Sequence, residues 1–238
     1  MLKIDKVTKA FGGITALSDV SFDIAENEFI GLIGPNGSGK TTLFNVLSGS
    51  IKPTKGSIKL KNMELIGLPS NKICHLGIAR TFQIPKPIKS ISVLENVMIG
   101  AVYGSQNGKK NEHKIKEECQ KLIEFIGLDI DYNSTPDKLT AGDLRRLELA
   151  RALATKPDLL LADEILSGLN KDELDSAAKV LQNIRDKMGI TIIWVEHIMG
   201  QLMNLVDRAI VLNYGSLIAD DTPENVSNDP MVIEAYLG

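Results

Sequence analysis

The sequence predicts an α/β fold with a parallel core, a patch of antiparallel strands and a helical insertion. Three observations lead to that expectation. Phe29-Ile30-Gly31-Leu32-Ile33 and Leu159-Leu160-Leu161-Ala162 are continuous apolar runs, and Ile190 to Val195 is apolar but for Thr191, the pattern of strands buried on both faces. Residues 1–30 carry short polar–apolar alternations broken by turn residues. From Pro85 to about Thr155 the apolar spacing becomes helical.

In chain order, Leu2-Lys3-Ile4 and Val20-Ser21-Phe22-Asp23-Ile24 alternate, with Gly12-Gly13 between them and Asn27 after them, as antiparallel hairpins do. Phe29 to Ile33 is the first buried strand. Thr41 to Ser48 sets Leu43, Val46 and Leu47 at helical spacing. Gly56-Ser57-Ile58-Lys59-Leu60 resumes the antiparallel pattern. Lys86, Pro87 and Lys89 open the helical stretch, which contains a polar loop at Ser105-Gln106-Asn107-Gly108-Lys109-Lys110. Ile115, Cys119, Leu122, Ile123 and Ile126 share one helix face, so Cys119 reads as a small buried apolar residue. A further helix is expected from Leu144 to Ala154. Leu174, Ala177, Ala178, Leu181 and Ile184 mark an amphipathic helix between the last two apolar runs. Arg208 to Leu212 and Ser216 to Ala219 flank Asn213-Tyr214-Gly215, a hairpin signal. No internal repeat and no low-complexity segment is visible.

A chain of 238 residues favours one large domain with subdomains. Its apolar content of 43% suffices for a full core, and a net charge of −3 offers no electrostatic footprint for nucleic acid. Cys74 and Cys119 are isolated, which suggests neither a zinc site nor a disulfide framework and fits a reducing compartment. No segment approaches the roughly 18 apolar residues that span a bilayer, and Met1-Leu2-Lys3-Ile4-Asp5-Lys6 has no signal-peptide core. The expectation is a soluble cytoplasmic protein, peripheral on a membrane if it serves one.

Gly34 to Thr41 reads Gly-Pro-Asn-Gly-Ser-Gly-Lys-Thr, the G-x-x-x-x-G-K-[ST] phosphate loop, directly after a predicted strand and before a predicted helix. Its glycines let backbone N–H groups turn around phosphate oxygens. Lys40 supplies a charge for the β- and γ-phosphates, and the Thr41 hydroxyl can ligate Mg²⁺. The phosphates would sit at a helix N-terminus, where the macrodipole and free amides favour anions.

Six further features fall at spacings that together resemble the ATP-binding-cassette (ABC) ATPases over almost the whole chain. Leu159-Leu160-Leu161-Ala162-Asp163-Glu164 resembles a Walker B strand, although Asp-Glu equally fits a strand that ends at the surface. A carboxylate at that strand end can hold Mg²⁺ through water, and Glu164 can polarise the water that attacks the γ-phosphate. Leu139-Thr140-Ala141-Gly142-Asp143 resembles the signature segment and departs from its consensus at Ala141 and Asp143; an ordinary helix N-cap is the alternative. The resemblance implies that Thr140 and Gly142 approach the γ-phosphate held by an opposing subunit, with Asp143 pointing away. His197 resembles the switch histidine, thirty-three residues past Glu164; a structural histidine at a strand end is the alternative. Gln83 in Arg80-Thr81-Phe82-Gln83 resembles the Q-loop glutamine that approaches Mg²⁺ and the attacking water. Phe11 resembles the aromatic that stacks on adenine, or is a strand-end core residue. Ser167-Gly168-Leu169-Asn170 resembles the D-loop. Ile165 stands where proline is usual, and an aliphatic side chain can fill the same pocket. His75 and His113 read as surface residues.

The fold implied is a P-loop NTPase, with a RecA-like parallel core and antiparallel patch at 1–84 and 156–238 and a helical subdomain at about 85–155. The nucleotide contacts implied are Phe11, Gly34, Pro35, Asn36, Gly37, Ser38, Gly39, Lys40, Thr41, Thr42, Thr140 and Gly142. The catalytic set is Glu164, His197, Gln83 and Lys40, and the Mg²⁺ set is Thr41, Gln83 and Asp163. Arg80-Thr81-Phe82-Gln83, Ile192-Ile193-Trp194-Val195-Glu196-His197 and the tail from Asp221-Thr222-Pro223-Glu224 to Gly238 resemble the ATPase subunits of branched-chain amino-acid importers. That branch implies ATP and Mg²⁺ as cofactors and pairing with a second ABC ATPase, identical or different. It also implies permease subunits at the inner face of the membrane, a separate substrate-binding protein and no nucleic acid. A soluble non-transport ABC ATPase and a weakly catalytic regulatory subunit are the rival readings.

Overall fold

The computed structural model describes residues 1–104, 111–165, 171–196 and 199–237, without the side chains of 171–173, 199 and 201. In chain order come β1 (Leu2–Phe11), β2 (Ile14–Ile24), β3 (Phe29–Ile33), α1 (Lys40–Leu47), β4 (Lys55–Leu60), β5 (Met63–Glu64) and α2 (Ser70–His75). Next are β6 (Ile78–Arg80), α3 (Val93–Tyr103), α4 (Glu112–Phe125), α5 (Ala141–Ala154), β7 (Leu159–Asp163) and α6 (Lys171–Met188). The chain then runs through β8 (Thr191–Val195), α7 (Met199–Leu202), β9 (Arg208–Asn213), β10 (Ser216–Asp221), α8 (Pro223–Asn228) and α9 (Pro230–Leu237). It divides into two compact units, Met1–Ile73 with Thr191–Gly238, and Cys74–Ile190. The second unit holds β6 and β7 besides the helices read from the 85–155 pattern.

In the first unit β2-β1-β4-β5 form an antiparallel sheet, with Leu2 opposite both Ile24 and Leu60. Its buried face is built by Leu2, Ile4, Val20, Phe22, Ile24, Ile58 and Leu60. Strict alternation along β1 would turn Val7 outward. A register shift between Ile4 and Val7, with Lys6 at φ 48°, returns Val7 to the core. In the same unit β3 lies parallel to both β8 and β9, and β10 returns antiparallel to β9. All five residues of β3 and of β8 are buried, which explains why both strands are apolar but for Thr191. The β9–β10 turn places Tyr214 at φ 43° and Gly215 at φ 82°, two left-handed residues whose twist suits a two-residue hairpin. Arg208 on β9 bonds the Asp220 carboxylate through Nε and Nη2 and Glu28 through Nη1, and these acidic partners hold its guanidinium firmly protonated.

In the second unit β6 runs parallel to β7, with Ile78 opposite Leu159 and Arg80 opposite Leu161. Helices α3, α4 and α5 pack on one another. They bury Val93, Leu94 and Val97, then Ile115, Cys119 and Ile123, then Leu147, Ala150 and Leu153. Cys119 is thus the buried apolar residue that the helical spacing implies. Two of these helices start on capping boxes, Ser92 with Glu95 and Thr140 with Asp143. The second box begins α5 at Ala141, three residues before the apolar pattern shows it. Asn96 is fully buried and fastens the segment before α3, accepting from Ile88 N–H at 2.9 Å and donating to the Ile88 and Ser92 carbonyls.

Glu148 on α5 is buried, and Arg151 donates to it at 3.0 Å. Burial pushes its carboxyl above the usual carboxylate range, and Arg151 only partly opposes this. Between its unfolded and folded pKa the native state therefore binds more protons than the unfolded one. Its contribution is fullest at low pH and is lost as pH rises through the folded value. Glu148→Gln is accordingly expected to raise the thermal midpoint more at pH 8 than at pH 4, as read by circular-dichroism melts. An equal shift at both pH values would show that its charge is not the cause.

Candidate functional site

The phosphate loop leaves β3 at Ile33, and its course depends on two glycines. A Cβ at Gly34 (φ 147°) would lie 2.1 Å from the Leu212 carbonyl oxygen and 2.6 Å from Ser38 Oγ. One at Gly39 (φ 109°) would lie 2.6 Å from the Ala16 carbonyl oxygen. Only a residue without a side chain lets the loop press against β9 on one side and β2 on the other. Gly215 N–H donates to the Ser38 carbonyl at 3.0 Å, so the β9–β10 turn also supports the loop. Asn36, Gly37 and Thr41 are exposed, Pro35 and Thr42 half-buried.

Lys40 is the first residue of α1 and is 6% exposed. Its ammonium donates to the carbonyl oxygens of Gly34 at 2.6 Å and Pro35 at 2.9 Å. Helix α1 starts without a capping side chain and without an acidic residue in its first turn. Its opening amides and partial positive charge therefore face the loop uncompensated by either. A glycine-shaped loop, an uncapped helix start and a buried ammonium resting on neutral oxygens together fit a polyphosphate. Phe11 ends β1 with 49% of its surface exposed, and Lys9 Nζ lies 4.7 Å from its ring centre. That exposure removes the reading of Phe11 as a core residue.

In the second unit β7 delivers Asp163 and Glu164, which are 4% and 8% exposed. The backbone turns sharply there, Glu164 lying at φ 47°, a left-handed conformation costly for a non-glycine residue. The last residue of β6 and the three that follow it hold this strand end. Arg80 Nη2 donates to Asp163 Oδ2 at 2.8 Å. Thr81 accepts the Asp163 amide on its hydroxyl at 3.0 Å and donates its own N–H to the Leu161 carbonyl at 3.0 Å. Phe82 lies 5.2 Å from the Arg80 guanidinium carbon. Gln83 Nε2 donates to Glu164 Oε2 at 2.6 Å. The structure thus brings Gln83, Asp163 and Glu164 together. Sequence reasoning missed the contacts of Arg80, Thr81 and Phe82, whose four-residue run it used only as a mark of one branch. Ile165 is buried and lines a cavity with Ile126, Leu149, Ala177 and Val180.

Thr140 caps α5, with Gly142 half-buried in the first turn. Asp143 folds back onto Thr140. The Thr140 hydroxyl donates to Asp143 Oδ2 at 2.6 Å and accepts from Asp143 N–H at 3.2 Å. Capping chemistry accounts for this contact, because the carboxylate answers the open amide end of its own helix. His197 and Ser167 to Asn170 lie outside the described residues. A ring nitrogen of His75 lies 2.8 Å from the Tyr103 carbonyl, and His113 is exposed beside Glu117. Among the described residues no helix is long and apolar enough to cross a membrane, and no cluster of three His, Cys, Asp or Glu side chains could hold a metal ion.

Residues 17–167 match the family described as ABC transporter, and residues 216–238 match the one described as branched-chain amino acid ATP-binding cassette transporter. The chain is 36% identical over 249 aligned positions to the high-affinity branched-chain amino acid transport ATP-binding protein LivG of Salmonella typhimurium, covering 100% of this chain and 98% of that protein. Among solved structures it superposes on an ATP-binding cassette of an ABC transporter in its ADP conformation. The TM-score is 0.88 at 32% identity, over 100% of this chain and 98% of the other. A dimeric ATP-binding cassette in a post-hydrolysis state, bound to ADP and Pi, gives a TM-score of 0.85 at 27% identity, over 94% and 99% of the two chains.

Proposed function

The chain belongs to the ABC transporter family as an ATP-binding, ATP-hydrolysing subunit, and from that premise we propose that it powers uptake of branched-chain amino acids or related small polar solutes. One observation carries the choice of solute: similarity to a branched-chain amino-acid transport protein runs the full length of the chain and includes the tail at 216–238. The tail forms β10, α8 and α9, elements that belong to neither the phosphate loop nor the Walker B strand.

In this reading Lys40 and the amides from Gly34 to Thr42 hold the ATP phosphates, and Phe11 stacks on the adenine. Thr41, Gln83 and Asp163 are the residues that would hold Mg²⁺, oxygen donors suited to a hard cation. Bound there, Mg²⁺ supplies neutralisation of charge on the phosphate oxygens. Glu164 takes the proton of the attacking water, while the Gln83 amide fixes its carboxylate at 2.6 Å. His197 completes the γ-phosphate contacts. Thr140 and Gly142 face ATP held by a second ATPase, identical or different, and the pair works beneath permease subunits at the inner face of the membrane. For Thr140 to reach that phosphate, its hydroxyl must exchange the Asp143 carboxylate for a phosphate oxygen.

Reconstitution tests the solute. The chain, copurified with its permease subunits and any partner ATPase, is placed in liposomes with the cognate binding protein, and labelled leucine, isoleucine and valine are followed. ATP-dependent uptake of at least one is expected. Phosphate release without uptake of any of the three would sink the solute assignment and leave the ATPase assignment standing.

A further inference from the structure

We propose that Arg80 is the resting counter-cation of Asp163, competing with Mg²⁺ for its carboxylate, and that Phe82 is the seat to which the guanidinium withdraws when the metal binds. The inference rests on the reading of Asp163 as a Mg²⁺ ligand.

Four observations carry it. Asp163 is 4% exposed, and a carboxylate so buried is costly unless a positive group meets it. Arg80 is that group, at 2.8 Å, from the neighbouring strand. Its reach follows from register: Arg80 stands opposite Leu161, whose side chain shares a strand face with that of Asp163 two residues on, so a long side chain spans the offset. The guanidinium also lies 5.2 Å from the Phe82 ring, which is 49% exposed and so leaves room for the cation to slide along its face. Gln83 occupies Glu164 in the same way, but with a neutral amide. Arg80 thus brings a full positive charge to Asp163, beside the neutral amide that Gln83 brings to Glu164. A divalent cation arriving at Asp163 must either share the carboxylate with that charge or displace it.

The test separates metal affinity from nucleotide affinity, using binding of a fluorescent ATP analogue to the full chain. Affinity is measured in EDTA and across a Mg²⁺ titration, with Mn²⁺ read by paramagnetic resonance as a direct check. Arg80→Gln is expected to lower the half-saturating Mg²⁺ concentration about tenfold, the order of one unit charge a few Å away in a partly polar site, with affinity in EDTA unchanged. Arg80→Lys keeps the charge and is expected to stay near the native midpoint. Phe82→Ala, which trims an exposed ring and spares the fold, is expected to raise the midpoint about threefold. An unchanged or higher midpoint in Arg80→Gln overturns the competition, and so does an equal change in EDTA. Should Arg80→Gln fail to fold, an unchanged or lower midpoint in Phe82→Ala overturns the proposal by itself. Asp163→Asn probes the underlying reading separately: a native Mg²⁺ response there would remove Asp163 as the ligand, whatever the Arg80 variants do.

Discussion

Glu164→Gln is expected to lower ATP turnover at least about 100-fold while leaving ATP affinity within about twofold, the range lost when a positioned general base is removed. The substitution keeps the shape of the side chain and an oxygen that can still accept from Gln83 Nε2, now at 2.6 Å. What it removes is the negative charge and the basicity with which a carboxylate takes a proton. The conformation around it is already committed, because Glu164 is held at φ 47° and only 8% exposed. A second consequence belongs to the same experiment. ATP that is bound and not hydrolysed should hold two ATPase subunits together, so sedimentation of the variant with ATP and Mg²⁺, alone or with its partner ATPase, should show a dimer. Phosphate release at the native rate would take Glu164 out of the catalytic role, and a strict monomer would count against the shared site.

Lys40→Ala is expected to weaken ATP binding by roughly 10- to 100-fold, the equivalent of about 1.5–3 kcal/mol for a charge-assisted hydrogen bond. Its ammonium now rests on the Gly34 and Pro35 carbonyls, neutral acceptors that phosphate oxygens can outbid. The fold should survive, since α1 is anchored by Leu43, Phe44, Val46 and Leu47 rather than by Lys40. Calorimetric titration with ATP measures the loss, and undiminished affinity would mean that the loop binds through its amides alone.

How far the sequence could be read depended on the range of the interaction involved. The phosphate loop was legible because its chemistry is local: eight consecutive residues carry the glycines, the lysine and the hydroxyl. The hairpin at Tyr214-Gly215 and the buried strands were legible for the same reason, since turn chemistry and side-chain periodicity act over a few residues. The start of α5 was misjudged by three residues because its cap is polar, whereas the expectation followed apolar spacing. The bulge at Lys6 went unseen because a register shift belongs to a pair of strands and not to one.

Composition and periodicity determined the α/β class, the eight-residue motif marked the phosphate loop, and the resemblance of the spaced motifs to a known family pointed to the family. They did not determine what Arg80 or Asp143 does. In sequence Arg80 stands 83 positions before Asp163, and only the parallel pairing of β6 with β7 sets it beside that carboxylate. Asp143 is three residues from Thr140, yet its direction was decided by the folded helix end, whose open amides draw a carboxylate inward. A sequence states which charges a chain carries. Which of them meet is settled only when strands pair and helix ends must be satisfied, because electrostatic and hydrogen-bond energies depend on distances that the folded backbone alone sets.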